Sequence, residues 1–516
     1  MSGQNNEKTV LIIGAGFAGL SAGIYARMNG YRAQIFEMHD KPGGLCTSWK
    51  RKGFTIDGCI HWLVGSAPET VMHDYWEETG LVPESEFIYM DEYARYETKD
   101  GRTLIFYSDL DRLEKHLLEF APEDEDNIRE FIKAVRLCMR LDQPSAKASL
   151  FKRITKMIKL ILFFTVNGNK LKNWMKVTGK EYTSRFRNKD LQQAINELWF
   201  PEFSILFLFF IFAYLEKKNA GYPLGGSMPM SEKLEKRFIN LGGEIHYKKR
   251  IVKIITENNT ATGIQLEDGT IINGDRVISA ADAYTTIFKM LEGKYTDARI
   301  RNMFDNWKLF PSLLFFGAGV NRTFGEIPLA VSGFSFPLKE PVVIAGETID
   351  RMPVHLFNHD PSLAPAGKTA LTVALHGDYE YWKKLSADRP AYDREKAAVT
   401  EQIISLLEQR FPGISGQIEM TDVATPVTFE RYTGNWKGSF EGWLLTPDNA
   451  GSMLKPLPQE IPGLKGCYLC GQWIEPGGGL PTGVLSGRRL IKSICREDGI
   501  KFRTTYKPSS SPVGAQ

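Results

Sequence analysis

The chain has 516 residues, too many for one ordinary hydrophobic core, so two domains are expected. Hydrophobic residues make up 43% and charged residues 24%, the balance of a folded globular protein rather than a disordered or fibrous one. A formal net charge of +3 is too small to argue for nucleic acid, and no zinc-finger or RNA-binding signature is present.

The opening residues, MSGQNNEKTV, are polar and lack an apolar signal core. A cytoplasmic protein is expected. Its six cysteines, Cys46, Cys59, Cys138, Cys467, Cys470 and Cys495, should then be reduced. The eight histidines show no metal-ligand spacing, so no metal is expected.

Val10 to Ile13 reads as a buried strand. Gly14, Gly16 and Gly19 follow in the spacing G-x-G-x-x-G, then a helical stretch, then a second apolar run ending at Glu37. Each glycine has a task in this context. Gly14 makes the tight turn, Gly16 lets the backbone approach a pyrophosphate, and Gly19 lets helix and strand pack closely. The helix N-terminus offers free N–H groups to phosphate. Glu37 stands at the right distance to accept hydrogen bonds from ribose hydroxyls.

Asp40-Lys41-Pro42-Gly43-Gly44-Leu45-Cys46-Thr47 comes almost at once. Two adjacent glycines let the chain pass close to a bulky group. With the strand, the G-x-G-x-x-G and Glu37, this arrangement resembles the FAD signature of the amine oxidase and phytoene desaturase superfamily. That family often has Arg on either side of the Gly-Gly pair, where this chain has Lys41 and Leu45. Gly53 to Gly58 resembles the family's next strand and turn, which leads toward the flavin ring.

Further along, the segment between Asp142 and Glu181 has no acid and nine bases. Leu150, Phe151, Ile154, Met157, Ile158, Ile161 and Leu162 recur there at helical spacing, while Lys152, Arg153, Lys156 and Lys159 fall away from that stripe. A basic amphipathic helix of this kind suits an anionic membrane surface, with Trp174 as an interfacial anchor. The alternative is an ordinary helix with its stripe in the core. Phe203 to Leu215, FSILFLFFIFAYL, is shorter than the ~20 residues needed to span a bilayer. It reads as a buried helix or as the wall of an apolar tunnel.

Gly221-Tyr222-Pro223-Leu224-Gly225-Gly226-Ser227, an amphipathic helix, Ile251 to Ile255, the hairpin signal Asp268-Gly269 and Val277 to Ala280 resemble the superfamily's middle segment. Strands are expected at Ser312–Val320, Val342–Gly346 and Thr369–Leu375. At the C-terminal end, Cys467 to Leu469 reads as a strand, so the C-x-x-C of Cys467 and Cys470 is expected to be buried and inert. Gly471-Gln472, then Pro476 to Val484 and a helix, resemble the family's closing motif, with Gln472 in place of its usual acid.

The resemblance implies an α/β fold, a Rossmann-like FAD-binding domain interleaved with an α+β substrate domain. The first would be built from 8–66, 220–300 and 460–498. The second would be built from 67–219 and 301–459, with a helical membrane-facing part near 147–215. Residues 503–516 are expected to be a disordered tail. FAD contacts would fall on Gly14, Ala15, Gly16, Phe17, Ala18, Gly19, Glu37, Met38, Lys41, Gly43, Gly44 and Leu45. Val252 and Ala280 in the middle, and Gly471, Gln472, Gly479, Leu480 and Thr482 near the end, complete the set. The helix opening at Leu480 would point its N-terminus at the flavin ring, where it stabilises negative charge.

Asp360 to Pro365 and Pro476 to Gly479 bring the resemblance closest to the phytoene desaturase, carotenoid isomerase and retinol saturase branch. It implies an FAD-dependent oxidoreductase acting on carbon–carbon double bonds of an apolar isoprenoid or polyene lipid. Desaturation, saturation and cis–trans isomerisation stay open. So do a flavin amine oxidase and, as a non-catalytic alternative, a lipid carrier like the GDP dissociation inhibitors of prenylated GTPases. His61 is a candidate proton-transfer group, with a structural hydrogen bond as its other reading, and Glu475 is a second candidate. The expected partners are an apolar lipid and the inner face of a membrane; the electron acceptor or donor is unknown.

Overall fold

The computed structural model describes residues 7–505 apart from 83, 84, 142–144, 146, 148 and 454. Its first sheet is parallel and five-stranded. The strands run in the order Glu244–His246, Arg32–Phe36, Thr9–Ile13, Arg276–Ser279 and Cys467–Leu469. Three distant stretches of sequence therefore supply one sheet. From Val10 to Ile13 the central strand is apolar because both its faces are covered, as a parallel sheet requires. Val10 and Ile12 point into one core, Leu11 and Ile13 into another.

On the first face lie the helices Phe17–Met28, Ser227–Asn240 and Leu480–Glu497. Ala18, Ala22, Gly483 and Gly487 let the first and last of these approach closely; a Cβ on Gly487 would sit 2.8 Å from the Ala22 nitrogen. On the other face lies an antiparallel sheet, Ile251–Glu257, Thr260–Leu266 and Ile271–Asn273. Gly269 makes the turn between its last two strands with φ +86°.

A second sheet has seven strands, in the order Ile418–Ala424, Leu313–Val320, Thr369–His376, Glu347–Leu356, Phe334–Ile344, Glu92–Glu97 and Thr103–Tyr107. The helix Arg389–Arg410 covers it with Val399, Ile403, Leu406 and Leu407. The strand expected over Val342–Gly346 is instead the end of a longer one. Ile344 pairs with Glu347, and Ala345 and Gly346 form a two-residue hairpin turn at φ +47° and +87°, the left-handed conformations such a turn demands.

Helices fill the space between the sheets. The apolar run anticipated over Phe203–Leu215 forms the helix Ile205–Glu216, with Phe209 and Phe212 fully buried. Leu150–Met175 is one 26-residue helix in which two environments succeed each other. Its far end is in the core, where Leu171, Trp174 and Met175 are buried. Trp174 packs edge-on against Phe209 at 5.1 Å. It is therefore a core residue, not the interfacial anchor that its place in a basic segment suggested. The near end points its stripe at solvent, with Phe151 77% and Ile161 60% exposed. Among the described residues no helix is long and apolar enough to cross a membrane.

Residues 506–516 lie outside the described residues, so only the start of the expected tail is described. There the chain is held: the Arg503 N–H donates to Asn29 Oδ1 at 2.7 Å and Asn29 Nδ2 donates to the Arg503 carbonyl at 3.0 Å. The expectation of disorder from 503 onward is corrected at that position.

Candidate active site

A single cavity of about 1940 Å³ runs from the carboxyl ends of the parallel strands into the gap between the two sheets. Of the 19 residues expected to touch a dinucleotide, 16 line it; Ala15, Gly19 and Lys41 do not. Lys41 Nζ instead donates to the Ser48 carbonyl at 2.9 Å. Burial lowers its pKa, and no cavity contact remains for its side chain.

The three glycines of the first turn differ physically. Gly14 has φ +97°, a region closed to most side chains. A Cβ on Gly19 would collide with the Gly14 carbonyl oxygen. A Cβ on Gly16 would meet nothing nearer than the Gly43 oxygen at 3.8 Å, because this glycine faces the cavity. The Gly43 N–H donates to the Ala15 carbonyl at 2.9 Å, which places Gly44 over the same opening. Glu37 is buried at the end of its strand. Its Oε2 accepts the Ala15 N–H at 2.7 Å and its Oε1 the His39 N–H at 2.8 Å. The acid thus sets the shape of the glycine turn, and each oxygen keeps a lone pair for a ligand hydroxyl.

At the other end, Gly471 has φ +104°, and its N–H donates to Ser486 Oγ at 2.9 Å. Gln472 Nε2 donates to Asn435 Oδ1 at 3.3 Å. Gly479, at φ +84°, opens the helix Leu480–Glu497, and Thr482 Oγ1 donates to its carbonyl at 2.7 Å. Gly479, Leu480 and Thr482 line the cavity, so the N-terminal turn of this helix borders it. Val252 and Ala280 complete the wall on the side of the first turn, and Met38 lies beside Gly434. This cradle of glycines, helix N-terminus and buried acid fits an FAD.

Beyond the cradle the cavity is aromatic. Trp62 meets Trp199 edge-on at 5.6 Å, and Trp199 packs on Phe200 at 5.6 Å and Phe207 at 5.4 Å. Phe440, Leu444 and Leu445 extend the wall. Phe207 and Tyr214 bring one face of the Ile205–Glu216 helix to it, so the run is both core helix and cavity wall.

His61 faces the cavity and stands edge-on to His355 at 4.6 Å, with His359 stacked 6.0 Å beyond. Burial, then repulsion from His359, pushes His61 down to about 4, and burial pushes His359 to about 4. His355 moves the same way. All three rings are neutral near pH 7. His355 and His359 have no hydrogen-bond partner at either ring nitrogen among the described residues. Glu475 lines the cavity but is ion-paired with Arg489. Asp360 ties two expected motifs together. Its Oδ2 accepts Tyr222 Oη at 2.9 Å and the Gly225 N–H at 2.8 Å.

Five cavity carboxyls, Glu197, Glu202, Asp282, Glu430 and Glu441, carry no motif and escape a reading by spacing. Asp282, pushed up to about 6 by burial, accepts the N–H groups of Thr285 and Trp436. Glu441 is pushed up to about 8 by burial. The one sequence signal for Glu441 is its isolation, an acid between Phe440 and Gly442-Trp443-Leu444-Leu445. Cys467 and Cys470 are buried on opposite sides of their strand, and burial pushes both thiols up to about 12. Among the described residues no group of three His, Cys, Asp or Glu side chains could hold a metal ion.

The family model for flavin containing amine oxidoreductases matches residues 17–490. The chain belongs to that family. It is accordingly an FAD-dependent oxidoreductase, with a phytoene desaturase-like sequence. A 4,4'-diapophytoene desaturase from Methylomonas sp is 26% identical, over 96% of this chain and 97% of that protein. A chloroplastic prolycopene isomerase from Daucus carota is 23% identical, over 97% and 82%. Among solved structures, the cyclohexylamine oxidase of Brevibacterium oxydans shares the fold with a TM-score of 0.58 and 15% identity, over 96% of this chain and all of that one.

Proposed function

We propose that this flavoenzyme changes the bonding of a long apolar isoprenoid, by desaturation of the kind the Methylomonas relative is named for. The observation that carries the reading is the aromatic arm of Trp62, Trp199, Phe200 and Phe207, continuous with the cradle. A polyene has no charged handle, so a wall of rings orients it along its length by burial and shape. The bound flavin supplies the two-electron chemistry. The protein supplies the dry, shaped approach, and His61, uncharged at the cradle's edge, adds a polar contact that does not oppose an apolar chain. Isomerisation is the second reading, favoured by the carrot relative.

The exposed stripe supports delivery from a membrane. Phe151, Ile154, Ile158 and Ile161 form the outward face of the Leu150–Met175 helix. At ~100° per residue, Lys152, Lys156 and Lys159 lie on the opposite side. There, with Arg140 and Lys217, they border a groove of about 760 Å³ that no carboxylate lines. In this reading the protein docks from the cytoplasm on the inner face of an anionic membrane, with the apolar stripe down and the bases at headgroup depth.

The test is anaerobic incubation of the flavin-loaded protein with polyenes, retinoids, sterols and simple amines, following flavin absorbance and product mass. Loss of two hydrogens from a polyene is expected. An unchanged mass with altered retention would select isomerisation. Flavin reduction by amines alone would discard the lipid reading.

A further inference from the structure

Most carboxyls in the cavity wall already have a structural task. Glu37 holds the glycine turn, Asp282 the Trp436 backbone, and Glu197, Glu430 and Glu475 pair with Arg351, Lys383 and Arg489; Glu202 is only half-buried. Glu441 is different. It approaches the turn Gly477–Gly479 so closely that its carboxyl fills the space a Cβ on Gly478 would need. Among the described residues the Gly479 N–H is the donor whose influence on it is felt. That residue opens the helix whose first turn faces the cradle. No cation among the described residues pairs with it. From the opposite wall, Cys59 is the ionisable group within its electrostatic reach, and Cys59 leads directly into His61 and Trp62. The carboxyl thus sits where the cradle becomes the aromatic arm.

Building on the desaturase reading, we infer that Glu441 is the acid–base group of this cavity, exchanging a proton with substrate carbon beside the flavin. The step balances with the flavin as the two-electron acceptor. Two adjacent C–H bonds break on desaturation. One hydrogen would leave with both bonding electrons to an oxidised flavin held by the cradle; the electron pair of the other would become the C=C bond, and that hydrogen would pass as a proton to the Glu441 carboxylate. In saturation the carboxyl returns the proton to carbon.

Burial without a counter-charge keeps Glu441 protonated up to about pH 8, whereas His61 in the same cavity is uncharged above about pH 4. Two groups whose environments push them apart in this way define a donor and an acceptor. The direction of catalysis therefore has a pH signature. Desaturation needs the carboxylate, so its rate rises with pH through about 8; saturation needs the acid, so its rate falls over the same interval.

The experiment compares the wild type with Glu441→Gln and Glu441→Asp, all loaded with flavin. Infrared spectra of the wild type should show a protonated carboxyl band that titrates near pH 8 and is absent from the Gln variant. Turnover of the active polyene should fall by about 10²–10⁴ in Glu441→Gln, with loss of the pH limb and unchanged flavin content, while Glu441→Asp keeps the limb. Should the Gln variant not load, the wild-type infrared titration decides, and a midpoint near pH 4–5 overturns the assignment. A loaded Gln variant with wild-type rate and limb overturns Glu441 alone. A wild type inert toward every unsaturated lipid overturns the desaturase reading, and this inference falls with it.

Discussion

A few atoms of difference separate the tasks of glycines that look alike in the sequence. Gly16 has open space where a side chain would go, whereas Gly19 abuts the Gly14 carbonyl. Gly16→Val should therefore fold and be recovered without flavin, because the added methyls occupy the pyrophosphate's approach rather than the protein's own core. Gly19→Val should fail earlier, since overpacking a helix–strand contact costs about 1–3 kcal/mol or more. Visible absorbance and a melting curve on both variants separate the two failures; a Gly16→Val protein with full flavin would refute the assigned approach. The pattern G-x-G-x-x-G made these positions legible because backbone geometry, not distant packing, sets their identity. Glu441 was not legible, since its surroundings come from residues 59 and 478–479, remote in the chain.

The helix Leu150–Met175 shows how one element can follow two rules. Periodicity disclosed its existence and its stripe. It could not disclose that Phe163, Leu171 and Trp174 enter the core while Ile154, Ile158 and Ile161 do not, because both halves carry the same mixture of bases and apolar side chains. What separates them is the presence of a partner: Ile205–Glu216 packs against the far half, and nothing among the described residues covers the near one. Replacing Lys152, Arg153, Lys156 and Lys159 by Glu should leave folding and flavin content intact, since all four side chains reach solvent. Binding to anionic vesicles should weaken by about 1 kcal/mol per base removed, with the loss greatest at low salt. Equal flotation of variant and wild type on phosphatidylglycerol vesicles would discard the docking surface.

Across the whole molecule, the strand pattern made the parallel sheet readable, and the seven-stranded sheet was readable only in pieces. The two strands at one end, Glu92–Glu97 and the edge strand Thr103–Tyr107, come from far upstream of the rest, a pairing that no local signal announces. The two sheets meet across the histidine trio, with His61 on one side and His355 and His359 on the other. Their folded-state pKa values lie below the free value of 6.5. The unfolded chain therefore binds more protons between pH 6.5 and about 4, and stability falls as pH drops through that window. Urea midpoints at pH 7, 5.5 and 4 should decline, and His355→Phe should flatten the decline. An unchanged slope would remove the trio from the acid response.

The contact between Arg503 and Asn29 has a consequence for biosynthesis. The first helix is covered by the last one, and the edge strand Cys467–Leu469 joins the sheet that Thr9–Ile13 begins. One part of the cradle lies within residues 14–45 and another within residues 471–482, more than 400 residues later. A ribosome-bound chain therefore cannot assemble the pocket until the segment from Gly471 to Thr482 has emerged. Flavin capture must wait for that segment, and the intermediate before it must keep the faces of its central strands protected by some other means.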